Sequence, residues 1–577
     1  QFDKDDLDAA GVPKFDFLGL GGLSVIRLAF DAIEKRTGER LEMYSLPVDD
    51  RRTYEMIARG DTVGTFQLES RAQIQSLLHT QPERLYDLVV QVALIRPGPI
   101  QAKFVAPYTR RRRGLEPVEY PHPALEPILR RTYGVPLFQE QAMAISMTLG
   151  GFSAAEADEL RRAMGHQKKL ARLQATLKKL RDRMVGRGVA PEVADRIVED
   201  LVSFSNYGFP ESHAWSFALI AYATAYLKAH YPAEFFMALL NAWPMGFYAP
   251  STLVHQAIRD GVTVLSPCLK HGAWDCTLEP CVPVEDGVAS ADGGAAGRNG
   301  GAPASPAGPA GTEGGRRDIP ALRIGWKHIR GLGERARQAL QAARAKGPFT
   351  SIEDVVRRAR LTRAEALHLA RAGAFEAFEP GRYRAAWEAL RASGDLLPLA
   401  PAHRDGGRGR AGEAGGNGRS GGADAAGTPY GPLPFDPREL EGDELIFLDY
   451  LATGVSTRGH PMRHLRARLE AAGVVDSRGL ERLEDGECCV VAGLVVARQH
   501  PATAKGTVFV LLEDEHGFIN VIVPARLYER NREAVNYSPF LLVEGIFERD
   551  GRVMNIVGRR FRRLDARPIV HRSRDFR

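Results

Sequence analysis

Two stretches of this chain are unable to bury a core. GVASADGGAAGRNGGAPASPAGPAGTEGG, beginning at Gly287, and RDGGRGRAGEAGGNGRSGGADAAGTPYG, beginning at Arg404, are made largely of Gly, Ala, Pro and Ser. Such sequence has too little apolar area to offset the entropy of ordering it. The two segments are therefore expected to be disordered linkers or surface insertions, and they divide the 577 residues into blocks that must each build their own core. A chain of this length needs several cores in any case.

The blocks differ in texture. From about Leu23 to Pro267 the pattern is mainly helical, punctuated by turn signals such as RPGP at Arg96 and YGVP at Tyr133. ESHAWSFALIAYATAYLKAHYPAEFFMALL, from Glu211, is small or aromatic on nearly every side, as a buried helix would be, and Pro232 should break or restart it. Between the Gly-rich segments, IRGLGERARQALQAAR from Ile329 opens a helix with a Gly-x-Gly turn, Gly331 and Gly333. Glycines there let the main chain approach a phosphate and present helix-start N–H groups to it. That is the pattern of a helix-hairpin-helix, which grips nucleic-acid backbone, and FTSIEDVVRRARLTRAEALHLARAGAF reads as a second small hairpin behind it. After the second segment, CCVVAGLVVARQH, TVFVLLEDEHGFINVIVP and FLLVEGIFERDGRVMNIVGRRF are β-rich, with DEHG and ERDG as hairpin loops. Five or so short strands suit an OB-type barrel that binds single strands; Phe509, Phe518 and Phe547 would either stack bases or fill the barrel.

Charge bears on partners through its distribution. Lys and Arg total 77 against 71 Asp and Glu, a formal net charge of +6. The positive residues are clustered: Arg110, Arg111, Arg112 and Arg113 are consecutive, the stretch from Leu160 to Val189 is crowded with Lys and Arg around one acid, Asp182, and the tail from Arg549 is Arg-rich. Basic tracts on separate segments suit a polyanion held by several domains, although each alone is equally a solvated helix face. No apolar run is long enough to cross a bilayer and the first residues are not signal-like, so a cytoplasmic protein with no membrane role is expected. The chain starts at Gln1, without Met, and runs at once into patterned sequence, which suggests missing upstream residues. Five cysteines argue for a reducing compartment, and the spacing of Cys268, His271, Cys276 and Cys281 lacks the two tight ligand pairs of a zinc site.

Near the start, KFDFLGL alternates as a strand would, with Phe15 and Phe17 on one face and Lys14 and Asp16 on the other. Followed in order by GTFQLESR (from Gly64), LIRPGPIQ (from Leu94), YGVPLFQEQAM (from Tyr133), LRRAMG (from Leu160) and YGFPESHAWSFALIAYATAYLKAHYPAEF (from Tyr207), it closely resembles the catalytic α subunit of bacterial DNA polymerase III, the C family of polymerases. SHAWSFALIAYATAYLKAHYPAEFFMALLNAWPMGFYAPSTLV, WDCTLEP at Trp274 and the ending SRDF look most like the error-prone branch of that family, used in DNA repair and damage-induced synthesis.

The resemblance implies a multidomain α+β enzyme that extends a primer on a template using dNTPs. The edge of a palm would occupy 1–30, helical fingers 31–267, a helix-hairpin-helix region 268–400 with an insertion at 287–316, a Gly-rich linker 401–432, a connecting segment 433–484 and an OB-fold 485–577. It implies a two-metal mechanism, usually with Mg2+, held by three carboxylates. Asp16 matches the third. The other two lie on an upstream Asp-x-Asp motif that nothing in this chain matches, so the chain is expected to be the C-terminal half of a polymerase, inactive by itself. Lys14 matches a lysine near substrate phosphates, Arg161 and Arg162 match residues holding the incoming triphosphate, and Tyr207 and His213 match residues lining the nucleotide pocket. Arg96 is a further candidate. Gly331, Gly333 and the Arg110 to Arg113 run are the candidate DNA contacts. The place of the family's sliding-clamp peptide is taken by the Gly-rich linker, and LLPLAP and YGPLPF lack its leading Gln, so direct clamp binding is doubtful and accessory mutagenesis proteins are the expected recruiters. A non-catalytic nucleic-acid-binding protein and the replicative α subunit are the alternatives.

Overall fold

A computed structural model describes residues 7, 10–12, 20–96, 104–164, 170–205, 209–280, 319–393, 437–501, 504–564 and 573–576. Lys14, Asp16 and Tyr207 lie outside them, as do both low-complexity segments and Cys281.

The first block is helical. Its helices are α1 (Gly21–Thr37), α2 (Arg51–Ala58), α3 (Arg71–Thr80), α4 (Leu85–Leu94), α5 (Val105–Arg112), α6 (Gln139–Gly150), α7 (Ala154–Ala163), α8 (Leu170–Gly186), α9 (Pro191–Ser205), α10 (Glu211–His230), α11 (Pro232–Ala242) and α12 (Pro250–Arg259). Local chemistry sets their ends. Asp50 and Ser70 accept the Thr53 and Gln73 amides as N-caps, Ser153 and Glu156 form a capping box, and Gly38 closes α1 in the left-handed region at φ 75°. The apolar helix from Glu211 behaves as its sequence implies. Ala214, Ala218, Ala221 and Ala225 are buried along α10, which lets α4 pack closely, and Pro232 restarts the chain as N1 of α11.

Three short strands follow: β1 (Val264–Leu265), β2 (Thr277–Glu279) and β3 (Ala321–Arg323). β3 lies between the other two, parallel to β1 and antiparallel to β2. β1 thus precedes residue 268 in sequence yet shares a sheet with β3. Strands of two or three residues carry too little alternation to be read from sequence.

The second helical block contains α13 (Glu334–Ala345), α14 (Ile352–Arg358), α15 (Arg363–Arg371) and α16 (Arg382–Ala392) around Trp326, Phe349 and Phe375, and α17 (Asp443–Ala452) leads on to the barrel. The barrel is formed by β4 (Cys488–Gln499), β5 (Val508–Glu513) and β6 (Phe518–Val523), then, after α18 (Ala525–Arg530) and α19 (Arg532–Tyr537), by β7 (Phe540–Asp550) and β8 (Val553–Arg563). The order is β5-β6-β8-β7-β4, with β4 also paired to β5, so the sheet closes. The parallel β6–β8 pair and the helices between β6 and β7 fit an OB-type barrel. A short β9 (Arg574–Phe576) adds to β4.

Candidate nucleotide and nucleic-acid sites

A cleft of about 460 Å³ opens where the chain leaves the KFDFLGL stretch, lined by Leu20, Gly21 and Gly22 of α1, by Gly64, Phe66 and Glu69, and by Met245 and Phe247. Its walls explain much of GTFQLESR. Gly64 sits at φ 84°, and a Cβ there would come within 2.7 Å of Leu239. Glu69 is engaged by the fold: its carboxylate accepts the Gly64 amide at 3.0 Å and the Phe247 amide at 2.9 Å. Ser70 caps α3 and Arg71 leaves the cleft for the barrel.

Beside the cleft runs a row of rings in edge-to-face and tilted contact that joins two of the sequence-derived candidates. The Arg96 guanidinium lies 3.9 Å from the Phe209 ring centre. Phe209 meets His213 at 5.1 Å, His213 meets Phe217 at 4.2 Å, and Phe217 meets the cleft residue Phe66 at 5.3 Å. Partial burial lowers the Arg96 pKa, while the His213 end is exposed. A cation on an aromatic face with exposed edges is suited to a planar or anionic ligand. Phe209 and Phe217 were not singled out in sequence. Their spacing from His213, four residues each way, is the helical signal that could have found them.

Two other candidates pair within their own helix. Arg161 and Arg162, at the end of α7, share Asp158: Arg161 reaches it at 2.8 Å and Arg162 at 2.8 Å. Both are partly or well exposed.

The Arg110 to Arg113 run divides by role. Arg112 makes two 2.8 Å contacts to Asp87 and also donates to the carbonyl oxygens of Thr80 and Gln81. Burial pushes the Asp87 carboxyl up, but Arg112 and the Glu83 amide outweigh it and hold the group below the usual range. Arg111 is nearly buried against Glu116 and the Tyr133 carbonyl. Arg110 also pairs with Glu116 but stays half-exposed, and Arg113 is exposed.

A second basic surface lies on α8 and the turn after it, where Lys178, Lys179, Arg183 and Arg187 line an open hollow of about 750 Å³ with Gly150 and Gly151. Glu156 neutralises part of it, pairing with Lys179 at 2.8 Å and Arg183 at 2.9 Å.

In the second block, Gly331 has φ 87°, and a Cβ there would fall 2.3 Å from His368 Nε2 on α15. The second hairpin therefore packs on the first glycine of the Gly-x-Gly turn. At Gly333, the N-cap of α13, a Cβ would meet nothing within 4 Å, so this side of the turn is open.

The barrel's three phenylalanines are accounted for by protein. Phe547 is fully buried in the barrel core. Phe509 lies under Arg71 at 4.7 Å, and Phe518 lies against Tyr248 at 6.0 Å and under Arg259 at 4.8 Å. Arg71 donates to the Val521 carbonyl at 3.2 Å and to Asn555 Oδ1 at 2.9 Å, fixing α3 to the barrel.

The same seam buries His255, His460 and Glu513, whose ligand-type atoms lie within 4.8 Å of one another. His460 Nδ1 accepts the Met462 amide at 3.1 Å, so in the neutral ring Nε2 carries the proton. That tautomer is wrong for a metal ligand. Burial raises the Glu513 pKa, yet His255 and Arg259 together hold it well below the carboxylate range, with Arg259 at 3.0 Å. Among the cysteines, Cys276 Sγ accepts the Gly325 amide at 3.3 Å and burial pushes its thiol up to about 11, so it is no thiolate.

A two-ion site for polymerisation needs several convergent carboxylates. Glu69, the acid in the cleft wall, is already held by two amides, and Asp16 lies outside the described residues. Among the described residues the acids at this cleft do not make up a two-ion donor set.

Comparison with known proteins agrees with this architecture. Residues 22–188 match the family described as bacterial DNA polymerase III alpha subunit finger domain, and residues 261–385 match the helix-hairpin-helix motif. Curated proteins named error-prone DNA polymerase are similar along the whole chain. That of Pseudomonas aeruginosa is 40% identical over 581 residues, covering 100% of this chain and 50% of the relative. That of Pseudomonas fluorescens is 42% identical over 584 residues, covering 100% and 51%. That of Methylococcus capsulatus is 41% identical over 581 residues, covering 100% and 51%. The chain spans about half the length of the curated relatives it matches.

Proposed function

We propose that this chain forms the fingers, helix-hairpin-helix and barrel portion of a template-directed DNA polymerase of the error-prone C-family type, acting in DNA repair and damage-induced synthesis. The observation that carries the reading is the row Arg96, Phe209, His213, Phe217 and Phe66, which leads to a cleft starting four residues after Asp16. The match of residues 22–188 to a polymerase finger domain supports it.

In this reading the row receives the incoming dNTP. Its base lies against the exposed edge of His213, with Tyr207 lining the same pocket, and its triphosphate reaches Arg96, Arg161, Arg162 and Lys14. Guanidinium forks suit phosphate oxygens because they are planar and permanently charged. Gly331 and Gly333 hold duplex backbone with the free amides of the turn. Arg110 and Arg113 are the members of the basic run left to face DNA.

Divalent ions, usually Mg2+, serve DNA polymerases by activating the primer hydroxyl and neutralising phosphate charge. Asp16 is the carboxylate this chain would contribute, and the remaining ligands would come from outside it. Accessory mutagenesis proteins are the proposed recruiters in place of direct clamp binding. Among the described residues no helix is long and apolar enough to cross a membrane, and a cytoplasmic location belongs to the same proposal.

Steady-state kinetics on the complete protein carrying this chain test the reading. His213→Ala and Arg161→Ala should raise KM for dNTP with little change in DNA affinity. Unchanged KM in both would favour a nucleic-acid-binding role without catalysis.

A further inference from the structure

An OB-type barrel usually meets single strands on the outer face of its second and third strands, here β5 and β6. In this chain that face is covered by the first helical block. Phe509 is under Arg71 and Phe518 under Arg259. Glu513 is fully buried beneath Thr252 and Arg259, and Leu511 is 9% exposed. The two aromatic rings that would stack bases are therefore held in an intramolecular seam.

A different edge of the barrel is open. β8 pairs with β7 through a register shift at Gly545, where Glu544 faces Arg560 and Gly545 faces Gly558, so Arg559 is the inserted residue of a bulge. Beyond it only Phe561 turns inward, at 5% exposure, while Arg559, Arg560, Arg562 and Arg563 all face solvent. Arg560 meets Glu544 at 3.3 Å. No carboxylate pairs with Arg559, Arg562 or Arg563 among the described residues. α19 packs against β8 and carries Tyr537, 79% exposed. Guanidinium groups with no carboxylate partner among the described residues, on a strand packed by the helix that carries an exposed aromatic ring, combine phosphate attraction with a stacking platform, the two components of single-strand binding.

We propose that the barrel binds single-stranded DNA through the β8 edge, Arg559, Arg562 and Arg563 with Tyr537, and that its β5–β6 face is a brace on the helical block. This rests on the nucleic-acid reading above and adds to it the surface used. Recruitment of nucleic acid to β8 would leave the seam undisturbed, so binding would not require the barrel to detach.

Fluorescence anisotropy with a labelled oligo(dT) of about 20 nucleotides, titrated with the 577-residue chain across a salt series, tests the proposal. The R559A/R562A/R563A variant should bind at least ~10-fold more weakly. Its log–log salt slope should be smaller by about 2, at roughly 0.7 per neutralised phosphate on a single strand. Y537A should weaken binding without changing the slope, and F509A/F518A should bind like the parent chain. Thermal unfolding should be unchanged in the arginine variant, since all three positions are exposed. Parental affinity and slope in the arginine variant, or loss of binding in F509A/F518A with its fold intact, would overturn the proposal. A parent chain that binds neither oligo(dT) nor primed duplex would overturn both this proposal and the polymerase reading. Primed-duplex binding with parental β8 behaviour would overturn this one alone.

Discussion

The seam between the helical block and the barrel, and the ring row beside the cleft, use the same residue types for opposite ends. In the seam, Arg71 is buried on a carbonyl, an amide oxygen and a ring, and Arg259 on a carboxylate and a ring. In the row, Arg96 rests on Phe209 with the exposed His213 next to it. A guanidinium that is dehydrated and bonded on several sides holds structure. One that stacks on a ring near open space keeps donors for a ligand. The distinction lies in the partners, and an arginine looks the same in sequence in either case.

Substitutions should separate the two kinds, beginning with the most fully engaged arginine. Arg112→Met leaves Asp87 buried without its partner and should cost about 3–5 kcal/mol in denaturant unfolding. The pH dependence has a definite sign. Asp87 has a lowered pKa in the folded protein, so its contribution is present above the unfolded value of about 3.9 and is lost as pH falls through the lower folded value. In Arg112→Met the Glu83 amide and Arg84 remain, but the largest opposing contribution to burial is gone and the Asp87 pKa rises relative to the parent, so the gap between variant and parent should narrow as pH falls toward about 4. A gap that widens on acidification would mean Arg112 is not holding an ionised Asp87.

Arg71→Met strands the Val521 carbonyl and part of the Asn555 side chain. It should cost about 2 kcal/mol and speed hydrogen exchange in β6 and α3 ahead of the rest of the chain. Uniform exchange across the molecule would show that the seam is not a separable brace.

Gly331→Ala forces a side chain into φ 87° and onto His368. A loss of about 1–2 kcal/mol is expected, with weaker duplex binding in a filter or anisotropy assay. Destabilisation with parental duplex affinity would remove the turn from the DNA contacts.

The smallest effect on stability belongs to the row. Arg96→Ala should alter unfolding by no more than about 1 kcal/mol, yet raise KM for dNTP about 10-fold in the complete protein. A larger stability loss with unchanged KM would move Arg96 into the structural class.

Much of the fold was legible because its signals are local. The small-residue pattern of α10, the restart at Pro232, the Gly-x-Gly turn and the alternating barrel strands each depend on neighbours in sequence. The seam was not legible, since Arg71 meets Asn555 across 484 positions and no periodicity encodes such a meeting. For the same reason Phe518 could not be assigned to base stacking or packing until Tyr248 and Arg259 were seen against it. The site was legible in part. His213 and Arg96 came from motifs, whereas Phe209, which joins them, is marked only by its spacing. Asp16, Lys14 and Tyr207 lie outside the described residues, and their roles rest on sequence.

We propose that Asp16 serves catalysis while the rest of this chain positions DNA and nucleotide. Primer extension by the complete protein bearing Asp16→Asn, measured beside primed-DNA affinity of the same preparation, tests it most directly. No detectable nucleotide incorporation is expected, with DNA affinity within about twofold of the parent, a difference of under about 0.5 kcal/mol. Extension at a parental rate would contradict it.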